Sequence, residues 1–266
     1  MNKLFRVISC LLHIESYIKQ IDTLSCKLDM LLSKVDLGDE LYNTFNTARS
    51  SNNYQSVYAE REPLVTVCIA TYNRSDLLLK RSLNSVLSQD YKNLEIIVVG
   101  DACTDETEAL VSKINDSRVI FINLPERGHY PEDPLRRWMV AGTTPVNYAL
   151  GLARGHFITH LDDDDEYASD RITKLVNFTL MTKADLVWHP FWSQTSYNKW
   201  RLNTAYQFKY GNVTTSSIFY HNWFRQISWD INAHKYLEPG DWNRLRKLIY
   251  LDAHVVRYPE PLLKHY

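Results

Sequence analysis

A chain of 266 residues has room for one large domain or a domain with an appendage, and 45% hydrophobic against 23% charged residues is a globular rather than a disordered balance. The 30 basic and 31 acidic residues leave a formal net charge of −1, which excludes nucleic-acid binding driven by a global field and makes any charge-driven chemistry local. Cys10, Cys26, Cys68 and Cys103 form no CxxC pair, so a disulfide framework or zinc site is not expected and a cytoplasmic location fits, with a peripheral place at the membrane as the variant; no apolar run approaches the ~20 residues of a membrane helix.

The first region, residues 1–42, has no proline and no glycine before Gly38. Leu4, Val7, Leu11, Ile14, Ile18, Ile21, Leu28, Leu32 and Val35, with Ser25 filling one gap, alternate at three- and four-residue spacing. That spacing predicts a helix with one apolar stripe, either a coiled coil that makes a homo-oligomer or a helix packed on its own globular domain. Adhesion to a membrane surface through Lys3, Arg6 and the apolar face is a third reading. Residues 43–62 turn polar around Arg49-Ser50-Ser51-Asn52-Asn53 and read as a linker. Pro63 opens the third region, 63–266.

There the pattern alternates. Leu64 to Ala70 is a short apolar, β-branched run of the kind found in buried parallel strands. A helix from Leu77 to about Ser88, capped by Ser75 or Asp76, follows it. Leu94 to Val99 is a second strand, a helix runs to about Ile114, and Arg118 to Ile122 is a third strand. Pro145 to Arg154 reads as a helix ended by Gly155, and His156 to Leu161 as a fourth strand. The fold class is therefore α/β, a mostly parallel sheet flanked by helices, preceded by an N-terminal helical segment. Ligands in such sheets bind beyond the carboxyl ends of the strands.

Three strand ends carry chemistry. The first is Thr71-Tyr72-Asn73-Arg74, the second Gly100-Asp101-Ala102-Cys103-Thr104-Asp105, and the fourth Asp162-Asp163-Asp164-Asp165-Glu166. Adjacent acids repel one another unless a cation sits among them, and Mg²⁺ or Mn²⁺ prefers carboxylate oxygens. Most acidic runs are solvated loops; placement directly after a buried strand weighs against that here. No GxxxxGK loop, GxGxxG or GxSxG is present, which argues against a P-loop nucleotidase, a dinucleotide site and a hydrolase elbow.

Val65 through Arg74, Ser85-Val86-Leu87-Ser88-Gln89, Glu95 through Asp101 with Thr104-Asp105, Asn147-Tyr148-Ala149-Leu150, Ala153-Arg154-Gly155 and Ile158 to Asp165 together resemble the family 2 glycosyltransferases. The resemblance covers about Pro63 to Ile172. It implies a GT-A fold, a nucleotide-diphosphate sugar donor with a UDP-sugar expected, a glycan or other hydroxyl as acceptor, Mn²⁺ or Mg²⁺ as cofactor, and inversion at the anomeric carbon. By position it gives Ala70, Thr71 and Tyr72 a place around the nucleotide base and Asp101 a hydrogen bond to it. The acidic run matches the DxD motif, with Asp164 for direct metal contact and Asp162 or Asp163 for ribose or metal-bound water, Asp162 being the second metal candidate. Arg74, Arg136 and Arg137 are the candidates for the diphosphate. The chain departs from the family at Gly100, Ala102 and Pro145-Val146.

A single displacement also needs a base for the acceptor proton. Asp241, in Glu238-Pro239-Gly240-Asp241-Trp242, is the expected base, with Glu238 and then Asp230 behind it; its plainer role is to cap the helix that follows. The irregular stretch Arg127 to Pro145 is expected to cover the donor. Trp188, Trp192, Tyr197, Trp200 and Tyr206 read equally as an acceptor platform and as core. For His189 and His254, packing or a hydrogen bond is the expected role ahead of metal ligation. Two other functions fit less well: a nucleotidyltransferase, which would need a glycine-rich loop after its first strand, and a non-catalytic assembly partner, which would not need intact acids.

Overall fold

The computed structural model describes residues 3–266, with side chains from Ile14 onward. The side chains of Leu4, Val7, Cys10 and Leu11 fall outside the described residues.

Eleven strands are described: β1 (Val65–Thr71), β2 (Leu94–Gly100), β3 (Val119–Asn123), β4 (Phe157–His160), β5 (Glu166–Tyr167), β6 (Leu186–Trp188), β7 (Phe191–Ser196), β8 (Lys199–Asn203), β9 (Ile218–His221), β10 (Val255–Arg257) and β11 (Leu263–His265). The large sheet has the order β10-β6-β9-β4-β1-β2-β3. Only β9 among its strands runs against its neighbours. All of β2 and most of β1 are buried, since helices cover both faces. Each fully buried Val or Ile there contributes about 1.5–3 kcal/mol. A second sheet, β5-β11-β7-β8, stands beside it and carries the end of the chain.

The predicted strands lie within a residue or so of the observed ones, and the predicted helices are found at 75–87, Thr107–Val111 and Thr143–Leu152. Local chemistry pins them. The buried carboxylate of Glu95 accepts from Thr66 Oγ1 (2.8 Å), Arg154 N (2.9 Å) and Arg154 Nε (2.6 Å), tying β2 to β1 and to the turn before β4. A Cβ on Gly155 would meet the Thr66 backbone nitrogen at 2.5 Å, so glycine is required where the chain passes this close.

The N-terminal region differs from the linker expectation. One helix spans Lys3–Arg49, broken by non-helical backbone at Gly38, and 43–62 continues it and then forms Asn52–Ser56 and Val57–Ala59 instead of an open linker. The polar residues there mask aromatics that reach the core. Phe45 is fully buried against Trp223 and Phe224, at ring-centroid distances of 4.8 and 5.1 Å. Buried Asp185 accepts from Tyr54 Oη (2.6 Å) and His254 N (2.7 Å) and pairs with Arg49 Nε (3.0 Å). Among the described residues, no helix is long and apolar enough to cross a membrane.

Candidate active site

The carboxyl ends of β1, β2 and β4 lie side by side because those strands are parallel neighbours in register: Thr71 opposes Gly100, and Cys68 opposes His160. Asn73, in the left-handed region at φ 51°, accepts with its Oδ1 from Thr104 N (2.8 Å) and Asp105 N (3.3 Å), binding the first strand end to the second. Gly100 is needed because a Cβ would meet Asn123 Oδ1 at 2.6 Å. That same amide accepts from Cys103 N (2.8 Å) and fixes the loop of Asp101.

The acidic run splits into two groups. Asp163 accepts from Thr71 Oγ1 (2.8 Å) and Arg74 Nη1 (3.2 Å), and Asp164 accepts from the same Arg74 Nη1 (2.9 Å). Burial pushes the Asp163 carboxyl up, against the pull of Thr71 and Arg74. Asp162, Asp165 and His265 form the other group, with one ligand atom from each lying within 4.8 Å of the others. Asp165 is fully buried and faces His265 Nδ1 at 3.0 Å, while Tyr266 N donates to it at 3.2 Å. Burial and the neighbouring Asp165 hold Asp162 well above the usual carboxylate range. The Asp165 carboxylate raises His265 to about 9. Two carboxylates and an imidazole are a donor set that suits Mn²⁺ or a similar divalent ion. Of the two residues expected at a metal, Asp162 belongs to this cluster beside Asp165 and His265, while Asp164 turns to Arg74.

His265 lies 100 residues from Asp165 in sequence. It arrives because β11 pairs with β5, the short strand that directly follows the acids. A histidine two residues after the apolar pair Leu262-Leu263 was the available signal. His189 accepts from Arg171 Nε at 3.0 Å in the core, and His254 sits at Lys183 O; neither belongs to the cluster. Arg81 is a further cation missed from sequence. It donates to Asp164 O (3.3 Å) and stacks on the Tyr266 ring at 3.8 Å. Arg137 is spent on Pro131 O and Glu132 O, while Arg74 and Arg81 are the arginines that contact the acids.

A second part of the site lies beyond β2. Asp101 is buried and accepts from Gly128 N (3.0 Å), with Arg127 Nε at 3.8 Å. Arg127 sits over the ring of Tyr72, its guanidinium carbon 3.6 Å from the ring centre, in a cation–π contact. Tyr72 is otherwise open to solvent, and Ala70 faces Gly142, whose added Cβ would stand 3.9 Å from its own. The irregular stretch after β3 thus reaches back over Tyr72 and Asp101, then forms the helix Pro134–Val140.

Asp241 begins the helix Gly240–Tyr250, and its Oδ1 accepts from Trp242 N at 2.6 Å. Burial pushes its carboxyl up, against the pull of the Trp242 N–H. Glu238 is committed to structure: it accepts from Arg246 Nε (3.0 Å) and Asn243 Nδ2 (2.9 Å). Asp230 caps Asn232 N at 2.8 Å. Of the aromatics, Trp188 is core, whereas Trp192, Tyr197 and Tyr206 are exposed and Trp200 meets Tyr266 at 4.9 Å.

A mostly parallel sheet with acids beyond its fourth strand and a smaller sheet beside them is the GT-A architecture of sugar transferases. Residues 66–131 match the sequence profile of glycosyl transferase family 2. An Escherichia coli protein named UDP-Glc:alpha-D-GlcNAc-diphosphoundecaprenol beta-1,3-glucosyltransferase WfaP is 30% identical over 162 residues, which cover 58% of this chain and 59% of that protein. Staphylococcus aureus TarS residues 1–349, solved with UDP-GlcNAc, superposes with a TM-score of 0.58 at 19% identity, covering 76% of this chain and 58% of that one. The mannosyltransferase PcManGT of Pyrobaculum calidifontis, solved with GDP-Man and Mn²⁺, gives a TM-score of 0.54 at 15% identity over 90% of this chain and 68% of its own. The likeness to glycosyl transferase family 2 thus lies in residues 66–131 and in the 162 residues aligned with the E. coli protein. The chain spans just over half the length of the E. coli relative.

Proposed function

We propose that the protein transfers a sugar from a nucleoside diphosphate sugar, a UDP-sugar first of all, to an acceptor hydroxyl with inversion, assisted by a divalent cation. The observation that carries this is the convergence of Asp162, Asp165 and His265 beside two arginines at the end of β4. The donor set fits Mn²⁺ or Mg²⁺, which when bound supplies charge neutralisation for a departing diphosphate. Asp101 accepts from the ring N–H of the base, and Tyr72 stacks on it once Arg127 moves aside. Arg74 and Arg81 take the diphosphate oxygens, Arg74 giving up its contact with Asp164 to do so.

Asp241 takes the proton of the acceptor hydroxyl. The freed oxygen pair forms the new bond to the anomeric carbon on the face opposite the diphosphate, and the old carbon–oxygen bond breaks with its electron pair leaving on the diphosphate. A carboxyl raised by burial is a better base than one in water. The acceptor is proposed as a lipid-linked glycan, supported by the name of the E. coli relative. Trp192 and Trp200 on the smaller sheet, with Tyr266 just beyond it, are the aromatic faces offered to that acceptor.

Thermal melting with UDP or GDP, with and without Mn²⁺, tests the reading. Stabilisation is expected from nucleotide and metal together, lost in His265→Ala. Equal stabilisation in the presence of a chelator would overturn the metal assignment, and no response to any nucleotide would overturn the donor.

A further inference from the structure

The helix Lys3–Arg49 docks on the catalytic domain by its polar face. Asp22 takes Lys209 Nζ at 3.0 Å, Asp29 accepts from Trp242 Nε1 at 3.4 Å, and Asp36 pairs with Arg246 Nη2 at 2.9 Å. Ser33 is fully buried and accepts from Arg246 Nη1 at 2.9 Å. These three acids stand seven residues apart and mark one row of a heptad. The apolar rows point away. Ile14, Tyr17, Ile18, Ile21, Leu24, Leu28, Leu31 and Val35 are all exposed, from 48% at Ile14 to 83% at Val35. Beyond the break at Gly38 the logic reverses, and Phe45 is buried completely.

We infer that this stripe is the seam of a two-stranded coiled coil with a second copy of the chain. The inference stands whether or not the catalytic reading does. The period selects a helical partner over a flat one. A straight helix drifts about 20° per heptad against a seven-residue repeat, so the seam swings by about 60° over the three heptads from Ile14 to Val35. A flat lipid surface loses such a seam; a supercoiled second helix follows it. A second copy of the chain carries the same heptad, so the helix that this period asks for is the chain's own. The acids Asp22, Asp29 and Asp36 are taken up by Lys209, Trp242 and Arg246 on the domain, which leaves the apolar rows free for that partner.

Sedimentation equilibrium of the full chain is expected to give twice the 31.2 kDa chain mass. Ile21→Asp with Leu28→Asp buries charge in the seam and should weaken the dimer by roughly a hundredfold or more, while Thr23→Asp, on the solvent side, leaves it unchanged. Retained melting of the catalytic domain shows that the double variant is folded. A monomer, whether free or bound to anionic vesicles, overturns the proposal, and so does a dimer that the double substitution leaves intact.

Discussion

His265 Nδ1 lies 3.0 Å from both carboxylate oxygens of Asp165, and that contact sets how the site answers to pH. The imidazole is raised from 6.5 to about 9 by the facing carboxylate. A raised histidine stabilises the metal-free fold fully below about pH 6.5, and this is lost as pH climbs through about 9. Denaturant midpoints measured in chelator should fall across that window, and His265→Gln should flatten the slope. A metal needs the neutral ring, so apparent Mn²⁺ affinity should rise over the same range, by up to about tenfold per pH unit. An affinity independent of pH between 6.5 and 9 would show that His265 is not a ligand. Asp241 makes a separate claim. Asp241→Asn should leave nucleotide binding intact and lower kcat by about 10²–10⁴-fold; normal turnover would move the base elsewhere.

Two elements carry more than their sequence suggests. The helix Gly240–Tyr250 presents Asp241 at its start and receives the N-terminal helix along its length, through Trp242, Arg246 and Tyr250. Arg246 is fully buried and held by Glu238, Ser33 and Asp36, so the candidate base sits on an element braced by ion pairs from two directions. The segment 43–62 is the second. Phe45→Ala should cost about 3–5 kcal/mol of stability by leaving a cavity against Trp223 and Phe224, read from denaturant unfolding. A loss under about 1 kcal/mol would mean that the segment is the loose connection its polar sequence suggests.

For the whole molecule, the N-terminal region divides at Gly38 rather than at a linker. A chain starting at residue 63 would leave buried Asp185 without Tyr54, Tyr58 and Arg49, an unpaired charge in the core that costs several kcal/mol. A chain starting at Asp39 keeps those partners, giving up the contacts that Asp22, Asp29, Ser33 and Asp36 make on the domain surface. The first is expected to aggregate or melt far below the full chain, and the second to fold. Equal melting of both would put the domain boundary back near Pro63.

The strands and the place of the site were legible because they are local properties. A buried parallel strand must be apolar along its length, as Val65 to Thr71 and Leu94 to Gly100 are, and polar residues directly after it fall at the carboxyl edge where ligands bind. Asp101, Tyr72 and the acids after β4 were placed at that edge by sequence alone. How the acids divide was not legible, because Asp163 and Asp164 differ from Asp162 and Asp165 only in what long-range pairing sets against them: Arg74 for one group, and His265 from β11 for the other. The heptad of the first helix was equally plain in the sequence, but its outward direction was decided by the acids that clamp its other face to the domain.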